Sequence, residues 1–419
     1  MKLTCLSTAV LALVCTAVFA QDQATTGASP WKANPETVKK LSARRGDFNY
    51  VESKVPDYVL PDPLKTSGVE QVTEPEQWPA RREELMELFR EHVYGHRPET
   101  QAEISFEVTE EREALDGDAI ARTVKVIVKI DDRTYDYLVS VFIPKLRKGP
   151  APVLIHINNR YFLSIDDAEK NDPFWPVKTI VSRGYATASF HTSDVDPDKK
   201  NAYAEGIRSF FADGADPEPN AWRSLSAWGW AASRVLDYME TCPEVDATRA
   251  SVSGHSRGGK TSLWAAAEDT RFAIGYSNNS GCGGAALSRR RFGETVGRIT
   301  EVFPYWFTPN FAKFSGNEDS LPVDQHELIA LIAPRATYVT SSDEDLWADP
   351  KGEYTSLAMA APVYQLLGKK CITNTEMPPI NSPRHVGSTG YHIRTGGHGL
   401  GEQDWAWFMN FADQHLKAK

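Results

Sequence analysis

Three positions in the middle of the chain form a pattern that can support nucleophilic chemistry. Gly254, Ser256 and Gly258 match G-x-S-x-G, the nucleophile elbow, within the stretch ASVSGHSRGGK. The flanking positions of this strand-to-helix turn are glycine because a Cβ atom would collide with the neighbouring elements. Apolar and β-branched residues before the motif indicate a strand, and TSLWAAAEDTRF after it indicates a helix. This context favours a nucleophilic serine over an ordinary glycine-rich turn.

A reactive serine needs a base within hydrogen-bond reach, and α/β-hydrolases place that histidine after the serine and the acid in the chain. Four histidines follow the last predicted strand: His385, His392, His398 and His415. His398 lies in the glycine loop GGHG, directly before an amphipathic terminal helix. This fold delivers its base from such a loop, so we predict that His398 is the general base. An exposed loop histidine is the alternative interpretation.

The base in turn needs a carboxylate that holds it in the correct tautomer. The segment RATYVTSSDEDLWADP predicts a strand that ends near Ser341, and four acids follow: Asp343, Glu344, Asp345 and Asp349. Spacing alone leaves all four open as partners. The preceding strand ends in SNNSG, which offers amides at Asn278 and Asn279 but no carboxylate.

The elements that must position these residues predict an α/β protein. Five short apolar runs alternate with helical or longer segments: 152–158, 185–190, 249–256, 272–280 and 335–343. They indicate a three-layer α/β-hydrolase sandwich with a mostly parallel central sheet, whose working residues lie at the carboxyl ends of the strands. The runs ARTVKVIVKI and TYDYLVSVFIP predict an antiparallel hairpin at a sheet edge. The loop over 191–223 has the size of a functional insertion.

The chain divides into three predicted parts. Residues 1–20 combine a positive start at Lys2, an apolar core and small residues before a cut after Ala20, which predicts a signal peptide and a secreted or periplasmic protein. Residues 21–75 are polar and rich in proline, and we expect an extended N-terminal arm. Residues 76–419 then form a single catalytic domain that begins with an amphipathic helix over 78–94.

Net charge and cysteine content limit the partners, disulfides and metal sites that the chain can have. Loss of Lys2 with the signal peptide takes the formal net charge from −10 to −11, which argues against nucleic acid or an anionic membrane as a partner. Three cysteines remain after cleavage, so at most one disulfide can form: Cys242, Cys282 and Cys371. There is no C-x-x-C and no His/Cys pair at metal-ligand spacing, so we expect no zinc site.

Several further motifs make the chain resemble a known family. GHSRGGK, SNNSGCGGAAL followed by RRR and GET, the W-F of PYWFTPNF, SSDEDLWADP and the C-terminal GGHG are similar to the glucuronoyl esterases, carbohydrate esterase family 15, and above all to its bacterial members. The resemblance runs from the helix at residue 78 to the end of the chain. It implies an α/β-hydrolase that cleaves the ester between 4-O-methyl-glucuronic acid on xylan and a lignin alcohol.

The resemblance also implies roles for individual residues. It makes Ser256 the nucleophile, His398 the base and Arg257 the residue that stabilises the oxyanion. Lys260 resembles a lysine that contacts sugar hydroxyls, with a solvated helix lysine as the alternative, and Trp347 resembles a tryptophan that lines the uronate pocket. By a looser alignment, Arg298 and Glu301 contact the uronate.

The sequence departs from the fungal members in two places. Where they carry a glutamate, this chain has Asn279, so the resemblance to bacterial members implies that Asp345 supplies the acid. We therefore expect Asp345→Asn to cost orders of magnitude in turnover and Asn279→Ala to cost little. His255 replaces a fungal cysteine, so the disulfide made by that cysteine should be missing.

The implied reaction is two-step acyl transfer through an acyl-enzyme, without a metal or organic cofactor. The implied partner is a glucuronoxylan–lignin ester, and we expect a monomer. Two alternatives stay open: an acetyl xylan or feruloyl esterase on the same fold, and a catalytically silent carbohydrate-binding protein. A peptidase is less favoured, since nothing indicates a propeller or a peptide-gating domain.

Overall fold

The computed structural model describes residues 29–417, so the predicted signal peptide at 1–20 lies outside the described residues. Ten strands of these described residues form one sheet, and their bounds are β1 (Glu103–Ala114), β2 (Ala119–Ile130), β3 (Arg133–Pro144), β4 (Ala151–Asn158), β5 (Ala186–His191), β6 (Val245–His255), β7 (Phe272–Asn278), β8 (Ala336–Ser342), β9 (Arg384–Val386) and β10 (Thr389–Arg394). The sheet order is β1-β2-β3-β5-β4-β6-β7-β8-β10-β9.

The centre of the sheet is parallel and its two ends are antiparallel. Strands β5, β4, β6, β7, β8 and β10 pair in parallel, while β1, β2, β3 and β9 pair antiparallel to their neighbours. All five predicted apolar runs are strands of this parallel part. The carboxyl ends of β6, β7, β8 and β10 therefore meet at one edge of the sheet, where an α/β protein binds its ligands.

The structure corrects the sequence prediction at both ends of the sheet. The hairpin of β2 and β3 forms as predicted, but β1 pairs outside it, so the hairpin is not at the edge. β1 was missed because its outward face is charged, as in EVTEERE. β10 was missed because its buried residues include His392, whose polar side chain breaks the apolar run.

In the part of the chain that the structure describes, fourteen α-helices connect and cover the strands. They are α1 (Pro35–Arg44), α2 (Trp78–Phe89), α3 (Ile165–Glu169), α4 (Val177–Ser182), α5 (Thr192–Val195), α6 (Ile207–Phe211), α7 (Ser224–Glu240), α8 (Arg257–Glu268), α9 (Val296–Val302), α10 (Pro309–Ala312), α11 (Gln325–Ala330), α12 (Pro350–Met359), α13 (Ala361–Leu366) and α14 (Glu402–Leu416). The helix predicted over 78–94 is α2 followed by one π-helical turn, Arg90–Tyr94.

Two apolar cores, one on each face of the sheet, give the three layers. One core packs α2, α7, α8, α12 and α13 against the sheet, and the other packs α3, α4 and α14. Trp264 on α8 is fully buried in the first core and Trp405 on α14 in the second. The rigid strand–turn–helix of β6 and α8 is thus held between two packed layers, which fixes the position of the residue in the turn.

Residues 29–75 contain helix α1, a short 3-10 helix (Glu52–Lys54) and otherwise turns and irregular chain. Tyr50 in this segment is buried. The division into an arm and a catalytic domain stays a prediction. Cys242, Cys282 and Cys371 are all buried free thiols. Within residues 29–417, no helix has the length and apolar character that crossing a membrane would require.

Candidate active site

Ser256 occupies the turn between β6 and α8. Its backbone has φ 56° and ψ −120°, and its N–H donates to the carbonyl of Asn278 at 2.8 Å. The glycines on either side are required by close packing. A Cβ atom at Gly254 would lie 2.2 Å from the Gly258 carbonyl oxygen, and one at Gly258 would lie 2.9 Å from the Ile157 carbonyl oxygen. The geometry is that of a nucleophile elbow.

Asp345 and His398 form a hydrogen-bonded pair beside this turn. His398 Nδ1 donates to Asp345 Oδ2 at 2.6 Å, which leaves Nε2 of the ring as the proton acceptor. Asp345 is buried, and burial raises its pKa. Hydrogen bonds from His398 and Asn279 outweigh that effect and hold the pKa of Asp345 below its ordinary value. The carboxylate is therefore charged and can stabilise an imidazolium.

The other three candidate acids point elsewhere. Asp343 accepts the N–H of Gly396 at 2.7 Å, and Asp349 pairs with Arg290 at 2.7 Å. Glu344 is exposed at the rim of the site. Of the four acids after β8, Asp345 alone contacts the His398 ring.

The active-site cleft is the cavity lined by Ser256, Arg257, Lys260, Glu294, Trp347 and His398 with their neighbours. Its volume of about 450 Å³ lies within the range of roughly 300–1,000 Å³ typical of small-molecule sites. Ser256 and His398 line the same cleft without a direct hydrogen bond to each other in the described chain. Such bonds tighten when a substrate is bound. No group of three or more His, Cys, Asp or Glu side chains among residues 29–417 is arranged to hold a metal ion.

Arg257 follows the serine at the start of α8. Its backbone N–H is one of the N-terminal donors that a helix leaves free, and donors of this kind can stabilise an oxyanion. Its guanidinium is hydrogen-bonded to Asp198 and lies over the Trp306 ring, 4.9 Å from the centroid. Asp198 also accepts from the Tyr305 hydroxyl and the Trp306 indole N–H, both at 2.8 Å. The predicted insertion over 191–223 thus supplies the residue that holds Arg257 in place.

Lys260 lies one helical turn beyond Ser256 and is only 3% exposed, so it is not a solvated helix lysine. Its ammonium donates to the carbonyls of Ser280 and Cys282, the latter at 2.7 Å, and lies 3.9 Å from Glu294. Burial lowers the pKa of Lys260, and Glu294 opposes this shift. Burial likewise raises the pKa of Glu294, and Lys260 opposes it. The two form a buried, mutually stabilised pair in the cleft.

The structure does not bring Arg298 and Glu301 to the cleft, so the expectation that they contact the uronate is wrong. Both are on the exposed surface of α9, where they pair with each other at 2.9 Å. The acid that lines the cleft in this region is Glu294, in the GET motif just before α9. Trp347 does line the cleft, and Glu294 donates its N–H to the Trp347 carbonyl at 2.9 Å.

A buried polar network supports the loop that carries His398. Asp404 on α14 is fully buried and accepts from Arg394 Nε at 2.8 Å and from the Gly401 N–H at 2.9 Å. Arg394 in turn donates to the carbonyls of Gly397 and Gly399, on either side of His398. We call these hydrogen bonds of Arg394 the Arg394 clasp, and they hold the glycine loop on both sides of His398.

His255, which precedes the nucleophile, connects the clasp to the elbow. Burial, with the neighbouring His398 ring, lowers the pKa of His255 to about 3, so the ring is neutral. Its Nδ1 donates to the Asn278 side-chain oxygen at 2.6 Å, and Asn278 donates to Asp404 at 3.3 Å. The His255 and His398 ring centroids are 4.5 Å apart.

Sequence reasoning missed Asp198, Glu294 and the contact of Asn279 with Asp345. The GET motif is a sequence signal for Glu294, because it sets the acid between a glycine and Thr295, the N-cap of α9. Asp198 gives no comparable signal, since it is one of several acids in a loop rich in aspartate and proline.

With this geometry in place, comparisons with known proteins agree with one another. A family model for glucuronyl esterases of fungi matches residues 126–368. The chain is 38% identical over 420 residues to carbohydrate esterase MZ0003 from an unknown prokaryotic organism, over 92% of this chain and 95% of that protein. It is 29% identical over 339 residues to the 4-O-methyl-glucuronoyl methylesterase of Schizophyllum commune, over 78% of each chain.

A solved structure extends the agreement to three dimensions. A promiscuous CE15 esterase from the marine bacterial metagenome superposes with a TM-score of 0.81 at 37% identity. The match covers 88% of this chain and 100% of that chain. The chain belongs to the glucuronoyl esterases, carbohydrate esterase family 15.

Proposed function

We propose that the protein is a serine ester hydrolase that cleaves the ester between (4-O-methyl-)glucuronic acid of glucuronoxylan and an alcohol of lignin. The observation that carries the proposal is the 2.6 Å hydrogen bond between His398 and Asp345, in the cleft that the Ser256 elbow enters. Membership in the glucuronoyl esterases and the similarity to a 4-O-methyl-glucuronoyl methylesterase support the substrate class.

The mechanism follows from the positions of these groups. His398 Nε2 takes the proton of the Ser256 hydroxyl while the Ser256 oxygen bonds to the uronoyl carbonyl carbon. The carbonyl oxygen becomes an oxyanion, which the N–H and guanidinium of Arg257 stabilise. The C–O bond to the alcohol then breaks, and the alcohol leaves with the proton from His398. Water, deprotonated by His398, hydrolyses the acyl-enzyme and restores Ser256.

The uronate ring is proposed to lie against Lys260, Glu294 and Trp347. The indole of Trp347 offers an apolar face that suits one side of a sugar ring. Lys260 and Glu294 together supply a donor and an acceptor for sugar hydroxyls without leaving a net charge in the buried wall. We also propose that the enzyme acts after export, because residues 1–20 have the pattern of a signal peptide.

The direct test is hydrolysis of benzyl glucuronate by the full mature chain and by Ser256→Ala. We expect the substitution to abolish turnover and to prevent labelling by a serine-directed phosphonate. Ser182→Ala, an exposed serine at the end of α4, is the matched control and should behave as the wild type does. Turnover retained in Ser256→Ala would refute the assignment of the nucleophile.

Substrate preference separates this function from its alternatives. Since the related marine CE15 esterase is promiscuous, the assay should compare benzyl glucuronate with p-nitrophenyl acetate and methyl ferulate. The proposal predicts the highest kcat/KM for the glucuronate ester. A preference for acetate or ferulate would favour an acetyl xylan or feruloyl esterase, and no turnover on any ester would favour a carbohydrate-binding protein.

A further inference from the structure

The N-terminal segment forms one wall of the active-site cleft. Leu41, Arg44 and Arg45, at the end of α1, line the cleft, and we call them the α1 rim. Tyr50 lines the cleft beside them and is only 1% exposed. The segment that the sequence predicts to be an extended N-terminal arm therefore contributes four residues to the site.

A main-chain hydrogen bond and an ion pair hold this wall against the part of the cleft proposed to bind the uronate ring. The Gly293 N–H donates to the Asn49 carbonyl at 2.8 Å, and the adjacent Glu294 is bonded to Trp347. Glu52, two residues beyond Tyr50, pairs with buried Arg290 at 2.8 Å. The chain just after the α1 rim is thus attached to the loop that carries Glu294, and Glu294 is bonded to Trp347.

Arg45 is preorganised by stacking. Its guanidinium lies over the Trp347 ring, 4.2 Å from the centroid, and Phe48 meets the same indole edge-on at 4.9 Å. A guanidinium held over an aromatic face loses less side-chain entropy when its N–H donors bond to a ligand.

Three polar groups of this wall have unused hydrogen-bonding capacity. Arg44 and Arg45 form no ion pair with any of residues 29–417, although both line the cleft. The Tyr50 hydroxyl is buried and makes no hydrogen bond of good geometry within that same part of the chain. Burial raises the pKa of Tyr50, and the nearby Arg45 guanidinium opposes this rise. A buried hydroxyl without a partner is costly, and a ligand that bonds to it recovers that free energy.

We propose that Arg44, Arg45 and Tyr50 form a subsite for the neutral sugar unit to which the uronoyl group is attached. The inference rests on the proposed function, which places the uronate ring against Trp347, so the next sugar along the polysaccharide meets the α1 rim. Guanidinium and phenol groups donate to sugar hydroxyls, while Leu41 offers an apolar surface. A carboxylate ligand is less suited, since Glu294, Glu344 and Asp345 line the same cleft and offset its cations.

The test compares two benzyl esters: benzyl glucuronate, and the same ester with glucuronic acid linked to xylotriose. We expect the wild type to have a higher kcat/KM on the oligosaccharide ester. Arg44→Ala should raise KM for that ester about fivefold to tenfold, with benzyl glucuronate nearly unaffected. Arg45→Ala should raise KM more for the oligosaccharide ester than for benzyl glucuronate, which it also affects because Arg45 stacks on Trp347. Tyr50→Phe should raise the same KM and also raise Tm, because it removes an unpartnered buried hydroxyl.

Lys40→Ala is the matched control, because Lys40 is an exposed cation on the same helix that does not line the cleft. It should leave both esters unaffected. Equal kcat/KM for the two esters in the wild type, or equal losses on both in Arg45→Ala, would overturn the subsite. An effect of Arg45→Ala that vanishes in 1 M NaCl would overturn it too, by showing recognition of a carboxylate. Failure of the proposed function looks different, since the wild type would then cleave neither ester.

Discussion

Asp345 shares one carboxylate oxygen between two donors: His398 Nδ1 at 2.6 Å and Asn279 Nδ2 at 3.0 Å. These three residues follow β8, β10 and β7, which are neighbours in the sheet. The amide therefore fixes the carboxylate from one side while the histidine approaches from the other. Asn279 occupies the position where fungal relatives are expected to carry their acid, and here it supports an acid from the next strand.

Asp345→Asn should lower kcat on benzyl glucuronate by about 10³–10⁴-fold, because an amide can neither stabilise the imidazolium nor select its tautomer. The contact of Asn279 changes our expectation for Asn279→Ala from a small cost to about tenfold, the effect of losing one hydrogen bond to a charged group. Steady-state kinetics at saturating ester measure both. If Asn279→Ala were the more damaging of the two, the acid would be assigned to the wrong strand.

Much of this site could be predicted because its residues sit in local patterns. The elbow motif, the glycine loop of His398 and the strand before Asp345 are each readable within about ten residues, and parallel pairing then brings their ends together. The choice among the four acids after β8 was different. It came from a family resemblance, because spacing says nothing about which carboxylate a distant imidazole will reach.

What could not be predicted depends on tertiary contacts. Asp198 meets Arg257 across 59 residues of sequence, and the α1 rim meets Trp347 across about 300. Neither has a periodic or spacing signal. β10 shows a related limit. His392 is buried and its ring is hydrogen-bonded to Tyr338 and Asp404, so a polar residue occupies a core position.

Glu294 and Glu301 provide a direct contrast between the structure and the loose alignment. Glu294→Gln should raise KM for benzyl glucuronate about tenfold, because it breaks the buried pair with Lys260 and alters an acceptor for the sugar. Glu301→Gln should have no effect, since that side chain is exposed on α9 and bonded to Arg298. A larger effect of Glu301→Gln than of Glu294→Gln would mean that Glu301 contacts the uronate, as the loose alignment implies.

Arg257 and Asp198 should act as one unit. Arg257→Ala is expected to lower kcat about 10²–10³-fold through loss of the guanidinium as an oxyanion donor. Asp198→Asn is expected to lower kcat about tenfold, because it removes the negative charge that holds the guanidinium. The double variant should be no worse than Arg257→Ala alone, because Asp198 acts through Arg257. Additive losses in the double-mutant cycle would show that Asp198 has an independent role.

The Arg394 clasp should position the base loop without contacting the substrate. Arg394→Ala frees the carbonyls of Gly397 and Gly399, so kcat should fall about 10-fold to 100-fold while KM stays nearly constant. Arg394→Lys should recover part of the activity, and Arg384→Ala, in the neighbouring strand β9, is the control. A proportional loss of Tm with no change in the kcat of folded enzyme would mean that the clasp is structural only.

Glu353 on α12 should make stability depend on pH. Its carboxyl group is fully buried beneath the loop after β7, where it accepts the Gly281 N–H at 2.9 Å and is bonded to the Ser341 hydroxyl at 2.6 Å. Burial raises the pKa of Glu353 to about 8, although these hydrogen bonds oppose the shift. An unfolded glutamate titrates near 4.3, so between about pH 5 and 8 the folded chain holds a proton that the unfolded chain has lost.

The contribution of Glu353 to the free energy of unfolding is therefore greatest at low pH. It falls by about 1 kcal/mol per pH unit as the pH rises towards 8. Glu353→Gln removes the titration, so its stability should fall less steeply with pH than that of the wild type. Denaturant unfolding from pH 5 to 8 measures the difference in slope, with Glu205→Gln, an exposed glutamate, as the control. Parallel slopes for wild type and Glu353→Gln would mean that Glu353 is ionised in the folded protein throughout this range.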